Sequence, residues 1–420
     1  MNHRILFSLF FLLGSFAQGL SADTNWISGT SGAFTTGSNW DDGVGLTDRT
    51  DFTAHISGTS TISAFSFAGR NTVNVGGTGT VTVTGSLNAG NDGVGHLVVA
   101  DHAVLTPKNS LMIGGNGSYS AVVANNGSTL TLKDDCVLNL SGHFGLGRNS
   151  KSTMVQEGNA IFNFNGGGVF VIGEFASNQG SVYYLKGGQL NVNAVPSGYG
   201  RVQINSGNSM IQTGGVANIG NASVDVPLQM SGTYTLSGGT LNVSEIKAGG
   251  TFNFDGGTLS ARTISRSLNQ NGGVLSPGMN WDGTGTSIGS TTISGNYTLT
   301  SGTLLFELDS LASYDTLNVT GKTTFAKEAS IDLVYGDDYA PGWGDSVSLM
   351  ASAGGYVFPA GVTDLTEMLM PELQAIWQLT NSANGLVLAT NANAFPEPSS
   401  CLLLLLGLGL LLRVSRFQRR

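Results

Sequence analysis

Tyr234-Thr-Leu236, Gly238-Gly239, Leu241-Asn-Val243, then Phe252-Asn-Phe254 and Gly256-Gly257 set out a pattern: short alternating segments with a glycine pair at the joint, and then the same order again. Alternation with period 2 puts one set of side chains on each face of a strand, and glycine at the joint admits the positive φ of a tight corner. Working outward, the same writing covers the middle of the chain. It appears in Thr72-Val-Asn-Val75, Thr80-Val-Thr-Val-Thr84, His96-Leu-Val-Val99, Thr129-Leu-Thr-Leu132, Val137-Leu-Asn-Leu140, Ile161-Phe-Asn-Phe164 and Leu190-Asn-Val192. Further glycine pairs begin at Gly167, Gly187, Gly214 and Gly272. An apolar-Gly step also recurs, at Ala89-Gly90, Ile113-Gly114, Leu146-Gly147, Ile172-Gly173 and Ile219-Gly220. It reads as one repeat whose last interval spans two units.

Repeats of roughly 20 to 50 residues mean a solenoid or a propeller. Strands of three to five residues between Gly/Asn corners suit a coil, and propeller signatures are missing. The expectation is therefore an all-β fold, a right-handed parallel β-helix over 71–271, with an N-terminal β cap over 23–70 and a β-rich C-terminal region over 272–392. Val, Ile, Leu and Phe would face inward and Thr, Asn and Ser outward. About ten coils of about 25 residues, stacked at strand spacing, would make a rod of roughly 50 Å.

Composition narrows the function classes. Gly accounts for 62 of the 420 residues and charged residues for only 11%, yet 40% are hydrophobic, enough for a long core. There is no period-3 glycine, so the chain is not collagen. A net charge of −9 would repel a phosphate backbone and argues against a nucleic-acid partner. Only Cys136 and Cys401 are present, and Cys401 lies in the tail, so no intrachain disulfide staples the body.

The two ends read as addresses. Met1-Asn-His-Arg4 is a basic start, Ile5 to Phe16 an apolar run, and small residues follow at Ala17 and Ser21-Ala22. A signal peptide over 1–22 is expected, cut after Ala22, with Ala17 as runner-up. At the other end, over 395–420, Pro396-Glu397-Pro398 leads into the apolar run Cys401 to Leu412, then to Arg413, Arg416, Arg419 and Arg420. A run of 12 residues covers about 18 Å as a helix, short of a roughly 30 Å hydrocarbon core, and the arginines keep its end cytoplasmic. Removing both ends deletes five basic residues, Arg4 and the four arginines, and leaves the body more acidic.

The order Pro396-Glu397-Pro398, short hydrophobic helix, terminal arginine cluster resembles a PEP-CTERM sorting signal. The resemblance implies export, transient anchorage in the inner membrane, and cutting by an exosortase, a membrane transpeptidase of Gram-negative bacteria that make extracellular polysaccharide. A plain membrane anchor is the alternative. The body carries a second resemblance. Gly272-Gly-Val-Leu-Ser-Pro-Gly278, Tyr314-Asp-Thr-Leu-Asn-Val-Thr-Gly321, Gly344-Asp345 and Pro371-Glu-Leu…Trp377 follow the order of autotransporter-associated β-strand repeats of the PATR type. Trp26…Ser31-Gly-Ala-Phe34…Ser38-Asn-Trp40-Asp-Asp-Gly43 resembles the opening of the same proteins, while Gln378 departs from the Asp that often follows the late Trp.

No catalytic residue, metal site or cofactor is assigned. Gly285-Thr-Ser-Ile-Gly289 formally matches a nucleophile elbow but lies in a Gly/Thr/Ser stretch, where that motif needs a strand-to-helix turn. His55, His96, His102 and His143 lack metal-ligand spacing, and Gly321-Lys-Thr323 lacks the upstream glycine of a phosphate loop. Between Gly158 and Gly250, where a β-helix enzyme would place its cleft, the acids are Glu174, Asp225 and Glu245. Asp41, Asp42, Asp48 and Asp51, and likewise Asp337, Asp338 and Asp345, form terminal groups that could hold calcium or simply cap strands. Tyr183, Tyr184, Tyr199, Trp281 and Trp343 are candidates to stack on sugar, or to complete core ladders. The expected function is a non-enzymatic structural β-solenoid of the cell surface or of an extracellular polysaccharide matrix. The alternatives are a β-helix polysaccharide lyase or hydrolase, needing converging acids, and a carbohydrate-binding adhesin, needing an aromatic or Asn-rich patch.

Overall fold

Alternation in sequence becomes alternation in burial: Asn71–Gly76, Gly95–Val99, Ser128–Leu132 and Ser152–Gln156 each bury every second residue. The computed structural model describes residues 22–394 except 28, 44–51, 64, 68–70, 91–93, 115–126, 149, 175–179, 194–199, 280–287, 384 and 392–393. The signal segment through 21, and the tail with Pro396, Glu397, Pro398, Arg413, Arg416, Arg419 and Arg420, lie outside the described residues. The fold is nearly all β. Its strands join one large hydrogen-bonded sheet, and among the described residues helix is confined to the single turns Gly37–Asn39, Leu365–Met368 and Pro371–Gln374.

The sheet is built of three columns of parallel strands. Column A runs from Ala22–Asn25 through Phe52–Ser57, Asn71–Gly76, Gly95–Val99, Ser128–Leu132, Ser152–Gln156 and Val182–Leu185. Column B runs from Ser31–Gly32 through Ser60–Ile62, Thr80–Val83, Val104–Pro107, Val137–Leu140, Ile161–Phe164 and Gln189–Val192. Column C runs from Phe65–Phe67 through Leu87–Ala89, Ser110–Ile113, His143–Leu146, Phe170–Ile172, Val202–Ile204 and Pro227–Met230. From Phe52 on, each circuit of the chain adds one strand to each column. From residue 209 on, strands bend through the corner between A and B without ending, as in Ser209–Ile219, Thr233–Ile246 and Thr251–Ile264. Pairing runs through Gly272, with Thr258 opposite Val274 and Leu268 opposite Tyr297.

The interior is filled in register. Phe67, Ala89, Ile113, Leu146, Ile172, Ile204 and Met230 stand directly above one another in column C, all buried. Phe144, Phe162, Phe164 and Phe170 cross the core between columns, with centroids 4.6 to 5.7 Å apart in tilted or edge contacts. The apolar-Gly step is thus a column C feature, with Gly90, Gly114, Gly147 and Gly173 turning out of it at positive φ. Ile219-Gly220 is the exception and corrects the single-repeat reading: Ile219 pairs with Val192 and Val243 in column B. In column C the step after Ile172-Gly173 is Ile204-Asn205, where the Asn205 amide reaches back to the Gly173 carbonyl at 2.6 Å, and the circuit of Ile219 places Met230-Ser231 there.

Both ends of the described stack are covered. Trp26, Phe34 and Trp40, all buried, form an edge-to-face plug beneath the first strands, and the Trp40 indole donates to the Phe34 carbonyl at 2.9 Å. At the far end the hairpin of Trp377–Ser382 and Gly385–Thr390 lies antiparallel against Ser346–Ser352, while the turn before Pro371–Gln374 donates from Met370 N to the Ile331 carbonyl. Antiparallel and helical covers occupy strand edges that would otherwise invite another chain.

Candidate functional site

On the outer face of column C one row reads Ser66, Asn88, Met112, Gly145, Val171, Gln203 in strict register. Gly145 makes a notch in that row. A Cβ there would stand 2.7 Å from Met112 Sδ and 3.0 Å from Glu174 Oε2, so the Glu174 carboxylate occupies the space a side chain would fill. His143 precedes the notch on the same strand, with Nε2 3.6 Å from Glu174 Oε1; Arg148 follows the Gly147 corner, with Nε 3.6 Å from Glu174 Oε2. Two circuits on from Gly145, Arg201 Nε donates to Gln203 Oε1 at 2.9 Å and the Gln203 amide to Asn205 Oδ1 at 2.6 Å. At 3.6 Å each separation from Glu174 is longer than a direct hydrogen bond.

The other central acids also have partners. Asp225 accepts from Arg262 Nη1 at 2.7 Å, and Glu245 pairs with Lys247 Nζ at 2.5 Å and accepts from Ser265 Oγ at 2.7 Å. Glu245 feels the Asp225 charge, but the result is the reverse of what a general acid needs. Burial raises the Glu245 carboxyl, and Lys247 and Ser265 more than offset this and hold it below the usual range. In the terminal groups, Asp41 accepts from the backbone N–H and the amide of Asn25 and from Thr24 Oγ1, which pins the first strand. Asp345 accepts from Tyr339 Oη at 2.8 Å and Gly342 N at 2.7 Å, capping its own turn. Asp48 and Asp51 lie outside the described residues; among the described ones, no three His, Cys, Asp or Glu side chains gather as metal ligands.

Histidines and aromatics sort by place. His102 Nε2 lies 3.3 Å from Asp135 Oδ2, and His96 Nδ1 lies 2.9 Å from Thr129 Oγ1. Trp343 is exposed, Tyr184 is half-buried on the outer face of column A, and Tyr199, Trp281 and residues 285–287 of the elbow match lie outside the described residues. Of the two readings of Tyr183 the core one holds: it is fully buried and donates to Gln156 Oε1. The same unit recurs as Tyr234 with Gln212 and Tyr297 with Gln270, at 2.6 and 2.7 Å. Each Gln amide also donates to corner carbonyls, as Gln212 does to Gly215 and Thr240. Sequence reading missed these pairs; the available signal was a glutamine at an inward position closing a column A strand.

An Asn-rich row does exist, on column B. Asn163 donates to Asn139, Asn191 to Asn163, Asn218 to Asn191 and Asn242 to Asn218, at 2.8 to 3.0 Å. Their amides bind one another circuit to circuit, so the row reinforces the stack in the manner of amide ladders in stacked parallel sheets.

Compared with known families, residues 396–420 match the PEP-CTERM protein-sorting motif. No curated protein matches the chain. The motif marks an exosortase-sorted protein, exported and directed to the cell surface, processed by that membrane enzyme.

Proposed function

We propose that this exosortase-sorted chain is a non-enzymatic architectural protein of the cell surface or extracellular polysaccharide matrix, built as a right-handed parallel β-helix with a PATR-type C-terminal region. The tail holds it briefly in the inner membrane before release. One observation carries the reading: each circuit stacks an apolar interior and a hydroxyl- or amide-bearing exterior in register on the last, with Asn rows outside and Tyr–Gln units inside tying circuits together. The handedness follows from the general preference of parallel crossover connections.

The test is the intact mass of protein recovered from cells with and without the exosortase. The expected product in normal cells has lost its terminal arginines, and Arg420 persists only when the enzyme is absent. A normal-cell product that keeps Arg420 overturns the sorting half of the proposal. A polysaccharide-active enzyme is the second reading, favoured by Glu174 between His143 and Arg148. Release of new sugar ends from matrix polysaccharide by the wild type, abolished in Glu174→Gln, would establish it and defeat the non-enzymatic proposal.

A further inference from the structure

Near its C-terminal end the stack opens into a cleft of about 640 Å3, within the range of small-molecule sites. Ser346–Ser352 pairs parallel with Thr316–Val319 through its last residues and antiparallel with Gly385–Thr390 through its first, and Met350 is paired on both sides. The cleft lies between the end of Thr316–Val319, the turn after Ser346–Ser352 and the tip of the hairpin. Gly385 seats the tip: its φ is +111°, and a Cβ there would meet the Met350 carbonyl oxygen at 2.0 Å.

The lining has a distinct chemistry. Among the described residues around the cleft there is no Asp, Glu, Lys, Arg or His. Asn318, Thr320, Ser352, Asn381 and Ser382 supply amides and hydroxyls, and Ala351, Ala353 and Ala383 keep the walls low. Tyr356 supplies the one aromatic ring. Its hydroxyl is committed to the Met350 carbonyl at 2.8 Å, and the ring stacks on Phe358 at 5.9 Å and 13°, which in turn stacks on Phe325 at 5.8 Å. Asn318 spends an amide N–H on Ser290 Oγ at 3.1 Å, which leaves its carbonyl oxygen as the acceptor. A fixed ring, neutral donors and acceptors, and the absence of any charge to neutralise an ion select an uncharged polyhydroxylated ligand.

We infer that this cleft binds a neutral saccharide, two or three sugar units of an uncharged glycan. The inference rests on the reading that the protein works within a polysaccharide envelope, and it adds a point of attachment to the rod. The test uses the matured chain recovered from its own cells, titrated with maltotriose, cellotriose and mannotriose, and with a galacturonate trimer as the charged counterpart. Binding is read by calorimetry and saturation-transfer NMR.

At least one neutral trimer is expected to bind, and the uronate trimer to bind at least about tenfold more weakly. Ala353→Trp, which fills the cleft from an exposed turn, should weaken binding by more than about tenfold, and Asn381→Ala by roughly fivefold. Ala383→Trp is the second blocking variant should the first not fold. The inference is overturned if none of the three neutral trimers binds at about 10 mM, if the blocking variants bind as well as wild type, or if the uronate binds better. Failure of this kind leaves the mass analysis and the assay for new sugar ends untouched, so loss of the site is told apart from loss of the sorting reading or of the non-enzymatic one.

Discussion

Gly239 stands at φ +75° in the corner between columns A and B, where an added Cβ would lie 2.3 Å from the Gly215 carbonyl oxygen of the preceding circuit. Gly355 has nearly the same φ, +76°, and nothing within 4 Å of such a Cβ. The pair separates two costs. Gly355→Ala should lose about 1–2 kcal/mol, the price of left-handed backbone alone, whereas Gly239→Ala adds a backbone clash and should lose more than about 3 kcal/mol, read by denaturant unfolding. Asp315, between Tyr314 and the strand Thr316–Val319, is fully buried and accepts from Gly289 N at 2.8 Å and Glu307 N at 2.9 Å. Burial raises its carboxyl to about 7, with the neighbouring Glu307 adding to the rise against those two N–H groups. The folded state therefore holds a proton that the unfolded chain has released between about pH 4 and pH 7. Stability should fall as pH rises through that window, by on the order of 4 kcal/mol at most, and level off above it. Asp315→Asn should remove this slope from unfolding curves measured between pH 4 and 8.

At the scale of the strand, the Tyr–Gln units show what alternation conceals. Period 2 assigns Tyr234 and Gln212 to the inside, and polarity alone would send the glutamine out. Inside, Gln212 accepts from Tyr234 and donates to two corner carbonyls, so its burial is matched bond for bond. Tyr234→Phe strands the Gln212 oxygen and should cost about 1–3 kcal/mol. Tyr184→Phe, on the half-exposed outer face, should stay within about 0.5 kcal/mol. Equal losses for the two in thermal unfolding would show that the buried bond contributes nothing. The Asn row was legible as residues, since Asn139, Asn163, Asn191 and Asn242 all sit between two apolar neighbours. Its bonding was not, because a single strand does not say which circuit lies above it.

Across the whole molecule the interior excludes solvent along its length, and Cys136 reports on this. It is fully buried, and burial pushes its thiol up to about 11, so it is neither accessible nor ionised at neutral pH. The matured protein should show no thiol reactive toward an aromatic disulfide until it is unfolded in guanidinium, and then one. Rapid labelling of the native matured protein would mean that the stack opens at its middle. The N-terminal plug belongs to this scale too. Trp26, Phe34 and Trp40 stand apart in the sequence, and packing turned them into a single stopper.

By itself the sequence determined the strand content, the inward and outward parity of most positions, the corner glycines and the sorting tail, because each is written within a few neighbouring residues. Tertiary structure alone decided which strand lies on which. Circuits differ in length, from 16 residues between Phe254 and Gln270 to 33 between His96 and Thr129, and no local rule tells the chain when to return. That return placed Ile219 in column B, laid Glu174 in the notch at Gly145, and left a cleft open beneath the last hairpin. Such features come from residues far apart in the chain meeting at one strand spacing, and only the stacked backbone brings them there.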